Sequence, residues 1–235
     1  MAVTFILILC FFFPGRMYGE KVDYTILRQN MVKEQILRRG ITDKRLLAAF
    51  TKVKRHLFVK PELWQNAYGD YSLDIGEEQT VSQPYIVAIM TYIVGPAYNK
   101  KVLEIGTGSG YSAAILAELV QNVYTIEYID TLAVQAKARL DSMGYKNIKF
   151  KIGDGYEGWE KYAPYDGIIV TCSEDHIPPA LIAQLAVGGR MIIPVSYSTE
   201  VQELILIEKL EDGTLKKTNL IPVQFVPLIR GSSKK

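Results

Sequence analysis

The apolar positions along this chain keep one rhythm in the N-terminal third and another beyond it. Between residues 23 and 39 they fall at Ile26, Leu27, Met31, Ile36 and Leu37 among polar neighbours, which predicts a helix that Gly40 stops. Asp43 opens a second, shorter helix carrying Leu46, Leu47 and Phe50. A third is predicted from Pro84 to Val94, with Ile86, Val87, Ile89, Met90 and Ile93. From Lys101 short apolar runs alternate with helical stretches. "KVLEIG" precedes a helix over Tyr111–Val120, "NVYTIE" one over Thr131–Met143, and "YDGIIVT" one over Pro179–Ala186, while "NIKFKIGDG" and "GRMIIPV" are further runs. Strands alternating with helices predict right-handed βαβ units and a mostly parallel sheet covered on both faces, an α/β architecture. At the end, "VQELILIEKL" and "LKKTNLIPVQFVPLI" flank Glu211-Asp212-Gly213 with no helix between them. That pattern predicts an antiparallel hairpin on the sheet edge.

One segment fits neither rhythm. "IGEEQTVSQPY", from Ile75 to Tyr85, is too polar for a core strand, and Pro84 keeps a helix from running through it. It carries hydroxyls, amides and carboxylates, and no His, Lys or Cys.

The first residues are apolar from Val3 to Phe13, shorter than the roughly 20 residues that a bilayer span needs. This is the length of a signal-peptide core, so residues 1–19 are expected to be a leader, with Gly19 the last residue removed. The alternative is a true start at Met17 and a cytoplasmic protein. The apolar run favours export to the periplasm or beyond. The remainder reads as one domain over residues 20–230 with a frayed tail at 231–235.

Composition excludes several function classes. The formal net charge is +2 and the basic residues are scattered, which describes a solvated surface and no nucleic-acid groove. Cys10 and Cys172 are the only cysteines, so loss of the leader leaves one thiol and no internal disulfide. His56 and His176 are far apart in sequence, so the usual N/S metal cage is lacking and no metal is expected.

"EIGTGSG" places Gly106, Gly108 and Gly110 directly after a strand and before a helix, where backbone approaches a ligand closely. Glu127 ends the second strand, 21 residues after Gly106, and a carboxylate there suits the two hydroxyls of an adenosine ribose. Asp154, in "GDG" with Gly155, stands where it would accept from an adenine amine, although "GDG" alone is more often a turn. A dinucleotide fingerprint wants its third glycine at position 111, where this chain has Tyr111. Ser109 is not in a G-x-S-x-G elbow, and no Gly-Lys-Ser/Thr follows, so a serine hydrolase and a P-loop both fail.

"VLEIGTGSGYSAAILAELV", with Glu127 and Asp154 after it, resembles the class I S-adenosylmethionine-dependent methyltransferases. "IGEEQTVSQPYIVAIMT" resembles the I-G-x-G-Q-T-I-S-Q-P-Y-x-V-A-x-M-T signature of the protein-L-isoaspartate O-methyltransferases. "MVKEQI", "RHLFV", "PYDGIIVT", "IPPALIAQL", "GGRMIIPV" and "FVPL" extend that resemblance over about residues 22–230.

The resemblance implies a Rossmann-like fold with an N-terminal helical and substrate-loop part (20–98) and a donor-binding core (99–230). It implies methyl transfer from S-adenosylmethionine to the free carboxylate of L-isoaspartyl and D-aspartyl residues in damaged proteins and peptides. Ser82 falls on the family's active-site serine. Thr80, Val81, Glu104, Gly106, Gly108, Ser109, Gly110, Glu127, Asp154 and Gly155 are expected on the donor, and Ile75, Gly76, Gln79, Ser82 and Gln83 on the acceptor. A helix N-cap is the bland reading of Ser82. Two alternatives stay open: a class I methyltransferase of the same fold for another carboxylate or small molecule and, from a different class, a silent S-adenosylmethionine-binding protein.

The chemistry needs little from acids and bases, because a carboxylate is already ionised at neutral pH. The chain departs from the family at Glu78, where glycine is usual, and at Cys172-Ser173-Glu174-Asp175-His176, where small residues are usual.

Overall fold

The computed structural model describes residues 22–95, 97, 100–198 and 201–231. The expected leader, the alternative start at Met17 and residues 232–235 of the expected tail lie outside these.

The N-terminal helical path begins at α1 (Tyr24–Asn30), whose first turn is capped by Asp23 through Thr25 N at 2.8 Å and Ile26 N at 3.3 Å. The sequence predicts one regular helix to residue 39. The path instead widens into a π segment at Met31–Ile36 and tightens into a 3-10 turn at Leu37–Arg39. This rephasing buries Met31, Val32 and Ile36 together, and Gly40, at φ 91°, ends the path in the left-handed region. α2 (Lys44–Lys52) starts at Asp43, as its sequence predicts, with the carboxylate accepting from Arg45 N and Leu46 N.

The polar segment is a two-stranded hairpin, not a loop: β1 (Leu73–Gly76) pairs antiparallel with β2 (Gln79–Val81). Glu77 and Glu78 form its two-residue turn at φ 54° and 57°. It lies outside the main sheet, which reconciles strand structure with so polar a sequence. α3 (Pro84–Val94) follows, with Pro84 in its first turn.

The main sheet holds β3 (Lys101–Ile105), β4 (Asn122–Glu127), β5 (Ile148–Ile152), β6 (Tyr165–Val170), β7 (Leu185–Ser196), β8 (Gln202–Lys209) and β9 (Leu215–Val223). Its spatial order is β5-β4-β3-β6-β7-β8-β9. The first five are parallel to one another, and β8 and β9 form the antiparallel edge hairpin that the sequence predicts. α4 (Tyr111–Ala117), α5 (Asp130–Ser142) and α6 (Pro179–Gln184) connect the parallel strands. α6 is shorter than expected because Leu185 and Ala186 begin β7 instead.

Alternate strand residues feed two apolar layers, as the pleat requires. Val102, Val123, Ile169, Ile192 and Leu204 pack with the N-terminal helices, α3 and α4. Leu103, Tyr124, Ile168, Met191, Ile193 and Ile205 face the other way, against Leu181 of α6. The chain winds outward from β3 to β5, then returns to β6 on the other side of β3. Reversal of strand order there opens a crevice beyond the carboxyl ends of β3, β4 and β6.

Candidate active site

The glycine loop fills the turn between β3 and α4. Gly106 N and Thr107 N reach back to Ile126 O at 2.9 and 3.3 Å, which ties the loop to β4. Gly106 has φ 91°, and a Cβ there would lie 2.4 Å from Thr171 Oγ1, so only glycine fits. Gly110, at φ 86°, packs on α5, where an added Cβ would meet Leu140 Cδ1 at 2.9 Å. Arg139 of α5 donates to Ser109 O at 2.7 Å, fixing the loop from behind.

A cleft of about 870 Å³, counted out to its open mouth, lies above this loop. Thr80, Val81, Ser82 and Gln79 line it from the hairpin, Gly106, Gly108 and Ser109 from the loop, and Glu127 and Gly155 from the ends of β4 and β5. Glu127 is buried and already engaged. Its Oε2 accepts from Gly108 N at 2.7 Å, and its Oε1 from Tyr128 N at 2.9 Å and Ile129 N at 3.0 Å. A carboxylate has about four acceptor positions, so one remains for a ligand hydroxyl.

Six of the expected site residues lie outside this cleft. Glu104 points beneath the loop and does not line the cleft. Its Oε2 accepts from Thr125 Oγ1 at 2.6 Å, Thr125 Oγ1 in turn lies 2.6 Å from Thr107 Oγ1, and Glu104 Oε1 is buried without a partner. Burial pushes the Glu104 carboxyl up to about 7, against the pull of the Thr125 hydroxyl. Asp154 caps the turn after β5, accepting from Tyr156 N at 2.9 Å and Gly231 N at 3.2 Å. Gly110 opens α4 and touches no cleft. Ile75 and Gly76 face the opposite side of the glycine loop, across a groove shared with Gly108 and Ser109.

Gln83 lines a second cavity rather than the first, and its Nε2 donates to Asp70 O at 3.0 Å. This second cavity runs between residues 70–72 and residues 222–226. The two cavities meet at Thr80, Ser82, Thr171 and Val226, which line both. Ser82 is not the helix cap: α3 is capped by Gln83, without a side-chain bond. Ser82 therefore has no capping role, and it lines both cavities.

Among the lining residues that sequence reasoning missed are Thr107, Ser112, Thr171 and the stretch Val226–Ile229. A polar residue closing the apolar run "YDGIIVT" was the available signal for Thr171. Cys172 also lines the cleft. Burial, with Glu127 and Glu174 adding to it, pushes its thiol far up, so it is a neutral wall and no nucleophile. Glu174, Asp175 and His176 line neither cavity. They bring ligand atoms within 4.8 Å of one another, but Asp175 and His176 pair together and His176 Nε2 meets Tyr156 OH at 2.7 Å.

Among the described residues, no Lys, Arg or His lines either cavity. In the first cleft the Glu127 carboxylate, with no cation beside it, suits a ligand carrying positive charge better than a phosphate, and the second cavity carries one carboxylate, Asp70. A sequence model described as protein-L-isoaspartate(D-aspartate) O-methyltransferase matches residues 27–233. The chain belongs to that family. A family member from Polaromonas sp., protein-L-isoaspartate O-methyltransferase 2, is 52% identical over 79% of this chain and 88% of its own length. Another with the same name, from Geotalea uraniireducens, is 50% identical over 88% of this chain and 95% of its own. A solved structure of a protein-L-isoaspartate O-methyltransferase superposes with a TM-score of 0.78 at 31% identity, covering 85% of this chain and 65% of that one. A second solved structure, a putative member from Plasmodium falciparum in complex with S-adenosyl-L-homocysteine, shares the fold with a TM-score of 0.73 at 22% identity, over 87% of this chain and 99% of that one.

Proposed function

We propose that the junction of the two cavities is where a methyl group passes to a carboxylate, with Ser82 as the hydroxyl that holds the attacking oxygen. As a member of its family, the chain is an S-adenosylmethionine-dependent methyltransferase that repairs proteins damaged at L-isoaspartyl and D-aspartyl residues. The observation that carries the site assignment is the shared boundary of the cavities at Thr80, Ser82, Thr171 and Val226.

The donor side is the cleft above the glycine loop. Glu127 and the loop backbone would hold the ribose and the methionine part, with Gly155, packed on Ile105, lining the cleft beside them. S-adenosylmethionine supplies a methyl group on a sulfonium, a leaving group that needs no protonation. Asp154 and Glu104 act indirectly, the first by capping the turn beside Gly155 and the second by supporting the loop through Thr125 and Thr107.

The acceptor side is the cavity bounded by residues 70–72 and 222–226. Its carboxylate arrives ionised, so the protein's task is alignment, which supplies roughly 7–11 kcal/mol of barrier reduction when geometry is well fixed. A hydroxyl orients the oxygen without the ground-state stabilisation that Lys or Arg would add. Gln79 and Gln83 hold the two ends of the β2 segment, and Thr80 and Val81 form the wall between the sites.

Incubation with labelled S-adenosylmethionine and an isoaspartyl peptide, beside its aspartyl twin, tests this reading. Base-labile label on the isoaspartyl peptide alone supports it. Transfer to other acceptors only, or donor binding without transfer, overturns it.

We also propose that residues 1–19 direct export, so that the enzyme repairs proteins outside the cytoplasm. The apolar run Val3–Phe13 supports this reading, and it lies wholly before the matched region that starts at residue 27. Mass spectrometry of the native N-terminus tests it: a chain starting at Glu20 is expected, and one starting at Met17 overturns it.

A further inference from the structure

A methyl group moving from donor to acceptor crosses the boundary that both cavities share, and three hydroxyl-bearing residues line it, Thr80, Ser82 and Thr171. They are not equivalent. Among the described residues, the Thr80 and Ser82 hydroxyls take no hydrogen-bond partner. The Thr171 hydroxyl lies 2.9 Å from Ile105 O and 2.7 Å from Gly106 O, and donates to these carbonyls. A hydroxyl has one proton, so that of Thr171 is spent inside the protein and only lone pairs remain for the junction.

The position is fixed from both sides. Thr171 N also donates to Ile105 O, at 2.9 Å, so the residue is clamped to the end of β3 by backbone and side chain. Gly106 lets the hydroxyl lie against the loop, since a Cβ there would come within 2.4 Å of Thr171 Oγ1.

A fixed lone pair repels a carboxylate oxygen. It attracts C–H bonds that an adjacent sulfonium has polarised. We propose that Thr171 Oγ1 accepts a C–H···O contact from the methyl group in transit, while Ser82 donates to the attacking carboxylate. This rests on the methyl-transfer reading above. In the step, a carboxylate oxygen forms a bond to the methyl carbon as the carbon–sulfur bond breaks. The electron pair of that bond stays on sulfur, which becomes a neutral thioether, and no proton moves. Thr171 therefore serves as an acceptor that steadies the methyl along the line of transfer, and it needs no titration.

The contact exists with the donor and not with the demethylated product, which has neither the methyl nor the positive charge. Calorimetry on the full chain measures both affinities in wild type, Thr171→Val and Thr171→Ser. Thr171→Val is expected to weaken S-adenosylmethionine about two- to fivefold more than S-adenosylhomocysteine, the scale of one weak C–H···O contact. Thr171→Ser keeps the oxygen and is expected to keep the wild-type ratio. Equal weakening of both ligands, or none, overturns the proposal and leaves Thr171 as a brace for the loop. If Thr171→Val fails to fold, Thr171→Ala reads the same ratio without added bulk.

A second readout is the proton resonance of a ¹³C-methyl donor bound without acceptor, expected downfield in wild type relative to the Val or Ala variant. Coincident resonances overturn the proposal. Wild-type protein that neither binds the donor nor labels the isoaspartyl peptide marks a failure of the methyl-transfer reading instead.

Discussion

The Glu127 carboxylate accepts from Gly108 N at 2.7 Å, so the end of β4 is fastened to the middle of the glycine loop. The same side chain also holds Tyr128 N and Ile129 N at the start of the next connection. It therefore shapes the donor cleft before any ligand arrives. Glu127→Gln replaces one acceptor oxygen by a donor facing N–H groups. Donor affinity is expected to fall by about tenfold or more, since hydrogen bonds to charged groups contribute roughly 1.5–3 kcal/mol each. Calorimetry checks the affinity, and a melting curve should show lower stability even without ligand. An unchanged melting curve would mean that the loop holds its shape without Glu127.

Glu77 and Glu78 occupy a hairpin turn with φ 54° and 57°, a conformation that suits Asn-Gly far better than two glutamates. Glu77 is compensated, because its Oε1 accepts from Thr131 Oγ1 at 2.8 Å and ties the hairpin to α5. Glu78 is exposed, has no such bond, and lines neither cavity. The repulsion of an anionic substrate raised by its sequence position is thus met by a side chain that faces solvent. Glu78→Gly is expected to raise stability by up to about 1 kcal/mol, relief of left-handed strain being partly offset by chain entropy. Activity on an isoaspartyl peptide should change by less than about twofold, as for other exposed surface changes. A large rise in kcat/KM would show that Glu78 reaches the acceptor after all.

The alternation of apolar runs and helices made the doubly wound sheet legible, and the glycine spacing located its ligand crevice. What stayed hidden depends on contacts distant in sequence. No spacing rule announces that the helix after Asp23 will widen at Met31, because the cause is burial of Met31, Val32 and Ile36 against other elements. The β1–β2 hairpin carries no Asn-Gly signal, since its turn is Glu-Glu. Glu104 sits one residue before the strand's last position in "KVLEI" and reads as a ligand, yet the pleat turns it beneath the loop toward Thr125. Thr171 is 65 residues from Gly106, and only the pairing of β3 with β6 brings them together.

Glu104 gives stability a pH dependence of definite sign. Its folded carboxyl, raised to about 7 from 4.5, holds a proton that the unfolded chain releases earlier. Its contribution is complete below about 4.5, is lost as pH rises through about 7, and is constant above that. The gap of about 2.5 units corresponds to at most about 3 kcal/mol. Glu104→Gln stays neutral throughout, so its melting temperature relative to wild type should climb between pH 5 and 8. A difference that is flat across this range would show that Glu104 is ionised at low pH in the folded protein.

Ser82 separates catalysis from stability. It lines both cavities at their junction and caps nothing, because Gln83 holds the cap position before Pro84. Ser82→Ala removes one oxygen from a half-buried site without orphaning a partner, so unfolding free energy should move by less than about 0.5 kcal/mol. Turnover of an isoaspartyl peptide should fall about ten- to a hundredfold, somewhat below the loss usual for a donor aimed at developing charge, because this carboxylate is already charged when it binds. Donor affinity should hold, since the acceptor and not the donor is what the hydroxyl addresses. Steady-state kinetics beside donor calorimetry checks both halves. A variant that turns over at the wild-type rate removes Ser82 from the site, and one that loses donor affinity and turnover together places it on the other side of the junction.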